Sequence, residues 1–257
     1  MYLSRLVLDP GNWQVRRDLA DCQELHRTLL RAFPDGPTNT PGDATGARAR
    51  CGLLYRVEAG RTSRGITVLV QSIIEPNWDL LPNGYVTACA CKPITAAYES
   101  IADGMRLRFR LRANPTRRIA RARDAAEARW VGKRVQLFRD EEQLAWLARK
   151  GQSHGFRLVQ VRTVSSLPVN AVQIAPEGVI TGRKASNGQT HSLTFGSVLF
   201  EGELEVINAE AFRLALVQGI GSAKAYGFGL LSVAWSGRDR NRVRSDEGPA
   251  HPSQSAG

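Results

Sequence analysis

The stretch Gly219-Ile-Gly-Ser-Ala-Lys-Ala-Tyr-Gly-Phe-Gly-Leu-Leu231 decides how the chain is read. Four glycines, at 219, 221, 227 and 229, surround Lys224, and an apolar run to Trp235 follows at once. Before it, Ala209-Glu-Ala-Phe-Arg-Leu-Ala-Leu-Val-Gln218 has helical spacing. The order is helix, glycine loop, strand. A dinucleotide fingerprint has the opposite order, following a strand and opening a helix. No Gly-Lys-Ser/Thr run makes the loop a P-loop. Glycine reaches positive φ and lets the backbone approach a ligand closely. The N–H groups of such turns cradle phosphate, and a lysine there adds a point charge. Gly219, Gly221, Lys224 and Gly227 are therefore candidate phosphate contacts. The same spacing also suits a C-capping glycine, a tight turn and close strand packing.

Upstream, the pattern repeats itself. Tyr2 to Leu8 alternates like a strand, and Asp21 to Phe33 reads as a helix with Asp21 as N-cap and Glu24 three residues on. Residues 34–43 form a turn-rich loop. Gly52 to Val57 and Ile66 to Ile74 read as strands, Ile94 to Ser100 as a short helix, and Met105 to Arg112 as a closing fourth strand. A second pass follows: a strand at 134–138, a helix at 140–150, a strand at 156–161, a long hairpin around Ser186-Asn-Gly188, the helix at 209–218 and the last strand. The expected fold is α+β, two tandem ferredoxin-like domains with antiparallel sheets. The expected boundaries are 1–115, a basic linker at 116–132, a second domain at 133–235 and a polar, disordered tail at 236–257.

The chain has 257 residues, a hydrophobic fraction of 42% and a net charge of +11. That suits two small domains with a polyanionic partner. No run of 18 apolar residues exists, so no membrane span is expected, and the N-terminus lacks a cleavable-signal layout. The four cysteines make no Cys-x-x-Cys array, which points to reduced thiols and a cytoplasmic setting. Between Arg106 and Arg134 there are eleven Lys or Arg residues against Asp124 and Glu127. Arg106, Arg108, Arg110 and Arg112 alternate with Leu107, Phe109 and Leu111, placing the arginines on one face of a strand. Arg108 and Arg110 are read as phosphate-facing, the alternative being a solvated sheet face.

Of four histidines, His26 stands out. Cys22, Leu25, Leu29 and Phe33 share the apolar face of its helix, and His26 sits at the edge of that face with Arg27 and Arg31 further round. A partly buried structural histidine would have the same spacing. No Asp/Glu cluster has metal-ligand spacing, so metal-assisted hydrolysis is disfavoured and no metal or other cofactor is expected. A metal-free ribonuclease uses the RNA's own 2′-hydroxyl and needs a group that moves protons near neutrality, as histidine does.

The chain resembles the CRISPR-associated endoribonuclease CasE family of type I-E systems, within the RAMP superfamily. The resemblance rests on Met1-Tyr-Leu-Ser-Arg5, Arg17-Asp-Leu19, Leu25-His-Arg-Thr-Leu-Leu-Arg-Ala-Phe-Pro34, Leu107-Arg-Phe-Arg-Leu-Arg-Ala-Asn-Pro115, Ala145-Trp-Leu147, Phe200-Glu-Gly202 and the glycine loop through Ser232. It implies metal-independent cleavage of CRISPR precursor RNA at the base of the repeat hairpin. The implied products carry a 2′,3′-cyclic phosphate and a 5′-hydroxyl. It also implies retention of the guide RNA with the other Cascade subunits. His26 matches the family's catalytic histidine, Arg27 and Arg31 basic positions on its helix, and Arg157 an arginine near the RNA. The family commonly has a tyrosine three residues before the histidine, where this chain has Gln23. That departure keeps a second reading open, a non-catalytic subunit that caps a guide RNA. A general RNA-binding protein would need exposed strand aromatics, and only Phe109 and Tyr226 are candidates.

Overall fold

The computed structural model describes residues 1–33, 50–58, 65–121, 128–129, 131–162, 168–186 and 189–236. The turn-rich loop beyond 33, the Asn-Gly turn at 187–188, much of the basic segment and the tail beyond 236 lie outside these residues.

The first half is built on β1 (Tyr2–Leu8), α1 (Trp13–Ala20), α2 (Cys22–Leu30), β2 (Leu54–Val57), β3 (Ile66–Ser72) and β4 (Val86–Pro93). The strands form an antiparallel sheet in the order β2-β3-β1-β4. Leu6, Leu8, Val68 and Val70 on the sheet pack against Val15, Leu25 and Leu29 on the helices. The N-cap reading of Asp21 holds: its side chain accepts from the Gln23 N–H at 2.9 Å. Helix α1, which the sequence reading does not include, is capped by Asn12, whose Oδ1 accepts from the Gln14 N–H.

The short helix α3 (Thr95–Glu99) leads into the second half: β5 (Arg106–Ala113), β6 (Thr116–Arg118), β7 (Arg134–Gln136), α4 (Asp140–Ser153), β8 (Phe156–Leu158), β9 (Gln160–Arg162), β10 (Pro168–Asn170), β11 (Val172–Ser186), β12 (Gln189–Val206), α5 (Ala209–Gln218) and β13 (Leu231–Trp235). The larger sheet runs β11-β12-β5-β13, with β8 also on β12. Leu107, Phe109 and Leu111 of β5 pack with Phe200 and Leu204 of β12, Trp146 and Leu147 of α4, and Phe212 and Leu216 of α5. Both sheets thus have the edge-centre-centre-edge order of a ferredoxin-like unit, with antiparallel neighbours throughout.

Two sequence expectations change here. The strand at 106–113 does not close the first sheet; it lies at the centre of the second, between β12 and β13. The closing strand of the first sheet is Val86–Pro93, which pairs with β1. Small side chains, Ala88 to Cys91, leave it without a strong alternation, and almost all of it is exposed. The supposed linker at 116–132 also contains regular structure, because Thr116–Arg118 pairs with Arg134–Gln136. The strands of the first sheet end at Pro93 and those of the larger sheet begin at Arg106, with α3 between them.

The seam between the units is polar. Arg56 of β2 is only 2% exposed and its guanidinium donates to Arg110 O, Leu230 O, Ser232 Oγ and Glu58. Burial pulls its pKa down, and Glu58 opposes that shift. In β11 the pairing slips between Pro176 and Gly178, leaving Glu177 opposite no single residue. Such a bulge re-aims a side chain. Glu177 accepts from Arg112 at 2.5 and 2.6 Å and from Ser197 Oγ at 2.8 Å. Burial pushes the Glu177 carboxyl up, but Arg112 and Ser197 outweigh it and hold it below its ordinary value.

Candidate active site and nucleic-acid interface

His26 is half-buried on α2, which is fixed from below by a carboxylate that sequence reasoning missed. Asp18 is fully buried and accepts from Thr28 Oγ1 of α2 at 2.6 Å, Tyr85 OH at 2.8 Å and the Arg17 guanidinium at 2.7 Å. A buried carboxylate is tolerated only with such partners. Asp21 ties the same helix to the other unit, since its carboxylate also accepts from the Arg183 N–H of β11. Cys22 packs where a Cβ on Gly182 would come within 2.8 Å of its Sγ. Burial raises the Cys22 thiol to about 11, so it stays protonated at neutral pH.

The glycine loop reaches the same place. Its 3-10 turn, Lys224–Tyr226, lies against α2 and β2. The Tyr226 ring meets the His26 ring edge-on, with centroids 6.2 Å apart. Tyr226 also stacks on Phe195 of β12, with centroids 5.0 Å apart. Burial raises the Tyr226 pKa, so the phenol is protonated across the physiological range. A tyrosine thus stands beside His26, supplied by an element other than the helix that carries Gln23. Tyr226 was visible in the sequence, but nothing in its spacing tied it to the histidine.

The four loop glycines have φ between +74° and +90°, as the sequence suggested. Their Cβ positions, however, face protein. A Cβ at Gly219 would lie 2.9 Å from Gly229 O and from Leu54, one at Gly221 3.3 Å from Trp146, and one at Gly227 3.1 Å from Tyr55. The glycines are packing requirements first. Ala223, at φ +59°, is the only non-glycine with positive φ among the described residues, and it sets the start of the 3-10 turn. Lys224 bears electrostatically on His154, whose pKa is lowered by burial first and further by Lys150 and Lys224.

The arginine residues named from sequence separate. Arg27 is exposed and pairs with Glu24 at 2.8 Å; Arg31 is exposed at the end of α2. Arg108 is exposed on β5, opposite Glu203 of β12. Arg110 pairs with Glu58 at 2.8 Å and Glu201 at 2.6 Å, and Arg157 with Glu205 at 2.6 Å. The arginine face of β5 therefore meets a glutamate face on β12, with Glu201, Glu203 and Glu205 opposite Arg110, Arg108 and Arg106. Sequence showed one strand's charges without its neighbour's, which is why the face read as uncompensated. Among the described residues no three of His, Cys, Asp and Glu gather in a metal-binding arrangement, and no helix is long and apolar enough to cross a membrane.

Residues 1–234 match the family model described as CRISPR associated protein. The chain is 38% identical over 236 residues to the CRISPR-associated endoribonuclease Cse3 of Thermus thermophilus, covering 91% of this chain and 100% of that protein. It is 30% identical over 236 residues to the CRISPR system Cascade subunit CasE of Escherichia coli, covering 91% of this chain and 99% of that one. In structure it is similar to Thermus thermophilus Cse3 bound to an RNA representing a pre-cleavage complex, with a TM-score of 0.68, 38% identity, and coverage of 91% of this chain and 98% of that chain. By the extent of these matches, the chain belongs to the CRISPR-associated protein family of Cse3 and CasE.

Proposed function

We propose that this protein is a metal-independent endoribonuclease that cuts CRISPR repeat RNA, with His26 moving the proton. The observation that carries this reading is the convergence of His26 with Tyr226 of the glycine loop at the seam of the two units. The relatives at 38% and 30% identity, an endoribonuclease and a Cascade subunit, support it.

In this reaction the 2′-oxygen of the nucleotide before the cut attacks phosphorus, and the bond to the 5′-oxygen breaks. The products are a 2′,3′-cyclic phosphate and a 5′-hydroxyl. One proton leaves the 2′-hydroxyl and one reaches the 5′-oxygen; the imidazole of His26 serves one of these transfers, a role that histidine fills in general acid–base catalysis. Tyr226 limits the ring's freedom. Arg31, Lys224 and the backbone of Gly219, Gly221 and Gly227 bear on RNA phosphates, as do Arg27 and Arg157, whose single pairs with Glu24 and Glu205 lie at the surface, while Arg110, held by two glutamates, acts chiefly within the domain seam and Arg108 at its rim. The product hairpin stays bound, and the protein works in the cytoplasm with the other Cascade subunits.

The test is a repeat-hairpin RNA carrying a single 2′-deoxy nucleotide before the mapped cut. Cleavage of the all-ribose RNA and none of the substituted one is the expected result. Cleavage of both contradicts 2′-hydroxyl attack. Tight binding of the all-ribose RNA without any cleavage selects the capping-subunit reading that Gln23 keeps open.

A further inference from the structure

The cations of this chain sit in two kinds of surroundings. On β5 and β8 they face glutamates: Arg106 and Arg157 lie on Glu205, Arg110 on Glu201 and Glu58, and Arg112 on Glu177. A second cleft lies between α4, the base of the β6–β7 hairpin and the glycine loop. Arg134, Arg149 and Lys150 line it, and among the described residues no carboxylate does. The Lys150 ammonium is 6.0 Å from the Trp146 ring centroid, which leaves its charge unneutralised. The positive potential is felt nearby, because Lys150 and Lys224 add to the burial that already lowers the His154 pKa.

Asn114 adds a second, independent observation. It lines the cleft and is 7% exposed, and its Oδ1 has no hydrogen-bond partner among the described residues. A buried acceptor without a donor costs about 1–3 kcal/mol. The terminal torsion of asparagine is soft, so the amide can turn its oxygen to a donor in the cleft. Three cations ask for anions, and the amide asks for a hydroxyl or N–H. A ribose-phosphate backbone supplies both.

The cleft is also close to the proposed cutting site. Ser222 of the glycine loop is on its wall, and Tyr226, against His26, follows in the same loop. Four residues span at most about 14 Å. One RNA strand can therefore follow the loop from His26 into the cleft.

Resting on the proposed function, we infer that this cleft is a second RNA-backbone subsite. Arg134, Arg149 and Lys150 take phosphates next to the cut, and Asn114 accepts from a 2′-hydroxyl. Repeat-hairpin RNA is the probe, with binding measured at several salt concentrations in the His26→Ala background. Adding Arg149→Gln and Lys150→Gln together should lower the slope of log K against log salt by about 1.4–1.8, at 0.7–0.9 for each phosphate contact. Asn114→Asp, nearly isosteric, should weaken binding several-fold by putting a carboxylate against phosphate. It decides the matter should the double variant melt early. Wild-type slope and affinity in the folded variants overturn the inference. Wild-type protein that binds the hairpin without cutting it contradicts the proposed function instead, and the slope comparison still judges the cleft.

Discussion

The ring of Tyr226 meets the ring of His26 edge-on, centroids 6.2 Å apart and planes at 71°, although the two residues belong to different units of the fold. Aromatic pairs of this geometry contribute about 0.5–1.5 kcal/mol beyond burial. Phe195 stacks on Tyr226 with centroids 5.0 Å apart, which limits how far that ring can turn. The histidine is thus braced by the glycine loop.

Removing the brace should let the imidazole wander. Tyr226→Ala is expected to slow single-turnover cleavage by roughly 10–100-fold, the scale of a misplacement near 1 Å. Tyr226→Phe keeps the ring and should stay within a few-fold of wild type. Equal loss in both variants would point to the hydroxyl rather than the ring.

Gly219 and Gly104 differ in what surrounds them. Both have positive φ, +74° and +80°, but a Cβ at Gly219 would meet Gly229 O and Leu54 at 2.9 Å whereas one at Gly104 meets nothing within 4 Å. Strained backbone of this kind costs an alanine about 1–3 kcal/mol, and Gly219, with ψ 161°, lies in a region essentially restricted to glycine. Gly219→Ala should therefore lower the melting temperature at least about twice as much as Gly104→Ala. Equal shifts would mean that the loop has room to relax.

At the seam, Arg56→Leu leaves Glu58 with Arg110 alone. Breaking a buried pair by deleting one partner costs about 3–5 kcal/mol, and the surviving pair keeps the expected loss near the lower figure. Arg110→Gln should leave the salt slope of RNA binding unchanged, because its charge is matched by Glu58 and Glu201. A slope reduced by about one unit would return Arg110 to the RNA surface.

His154 gives a pH signature. Its folded pKa is below the ordinary 6.5, from burial first and then from Lys150 and Lys224. The unfolded chain then binds the proton more readily. The stabilisation is fully present above about pH 6.5 and is lost as pH falls toward the folded pKa. The stability gap between wild type and His154→Asn should shrink between pH 7.5 and 5. A constant gap would mean that the imidazole titrates freely.

The sequence made some of this readable and hid the rest for physical reasons. The Asp21 cap, the period-two face of Leu107, Phe109 and Leu111, and the helix-to-glycine passage at 218–219 are local signals, and each element formed where its signal lay. Which sheet received the strand at 106–113 was set by its pairing with β12 and β13, a long-range matter that alternation does not encode. The glutamates opposite its arginines come from that same pairing. Asp18 lies on the buried face of α1 with Val15, a place where an aspartate reads as solvent-facing, so its burial against Thr28 and Tyr85 was not legible. The catalytic candidate was found through its helix edge, whereas Tyr226 was placed beside it only by the two units docking.

The central claim is that His26 moves the proton without a metal ion. The most direct measurement is single-turnover cleavage of a repeat hairpin by wild-type and His26→Ala protein in excess chelator, with RNA affinity measured for both. Wild type should cut at the same rate with and without chelator. His26→Ala should be slower by roughly 10²–10⁴-fold with affinity nearly unchanged. Wild-type cleavage by His26→Ala, or loss with chelator that magnesium restores while the hairpin stays folded, would contradict the account.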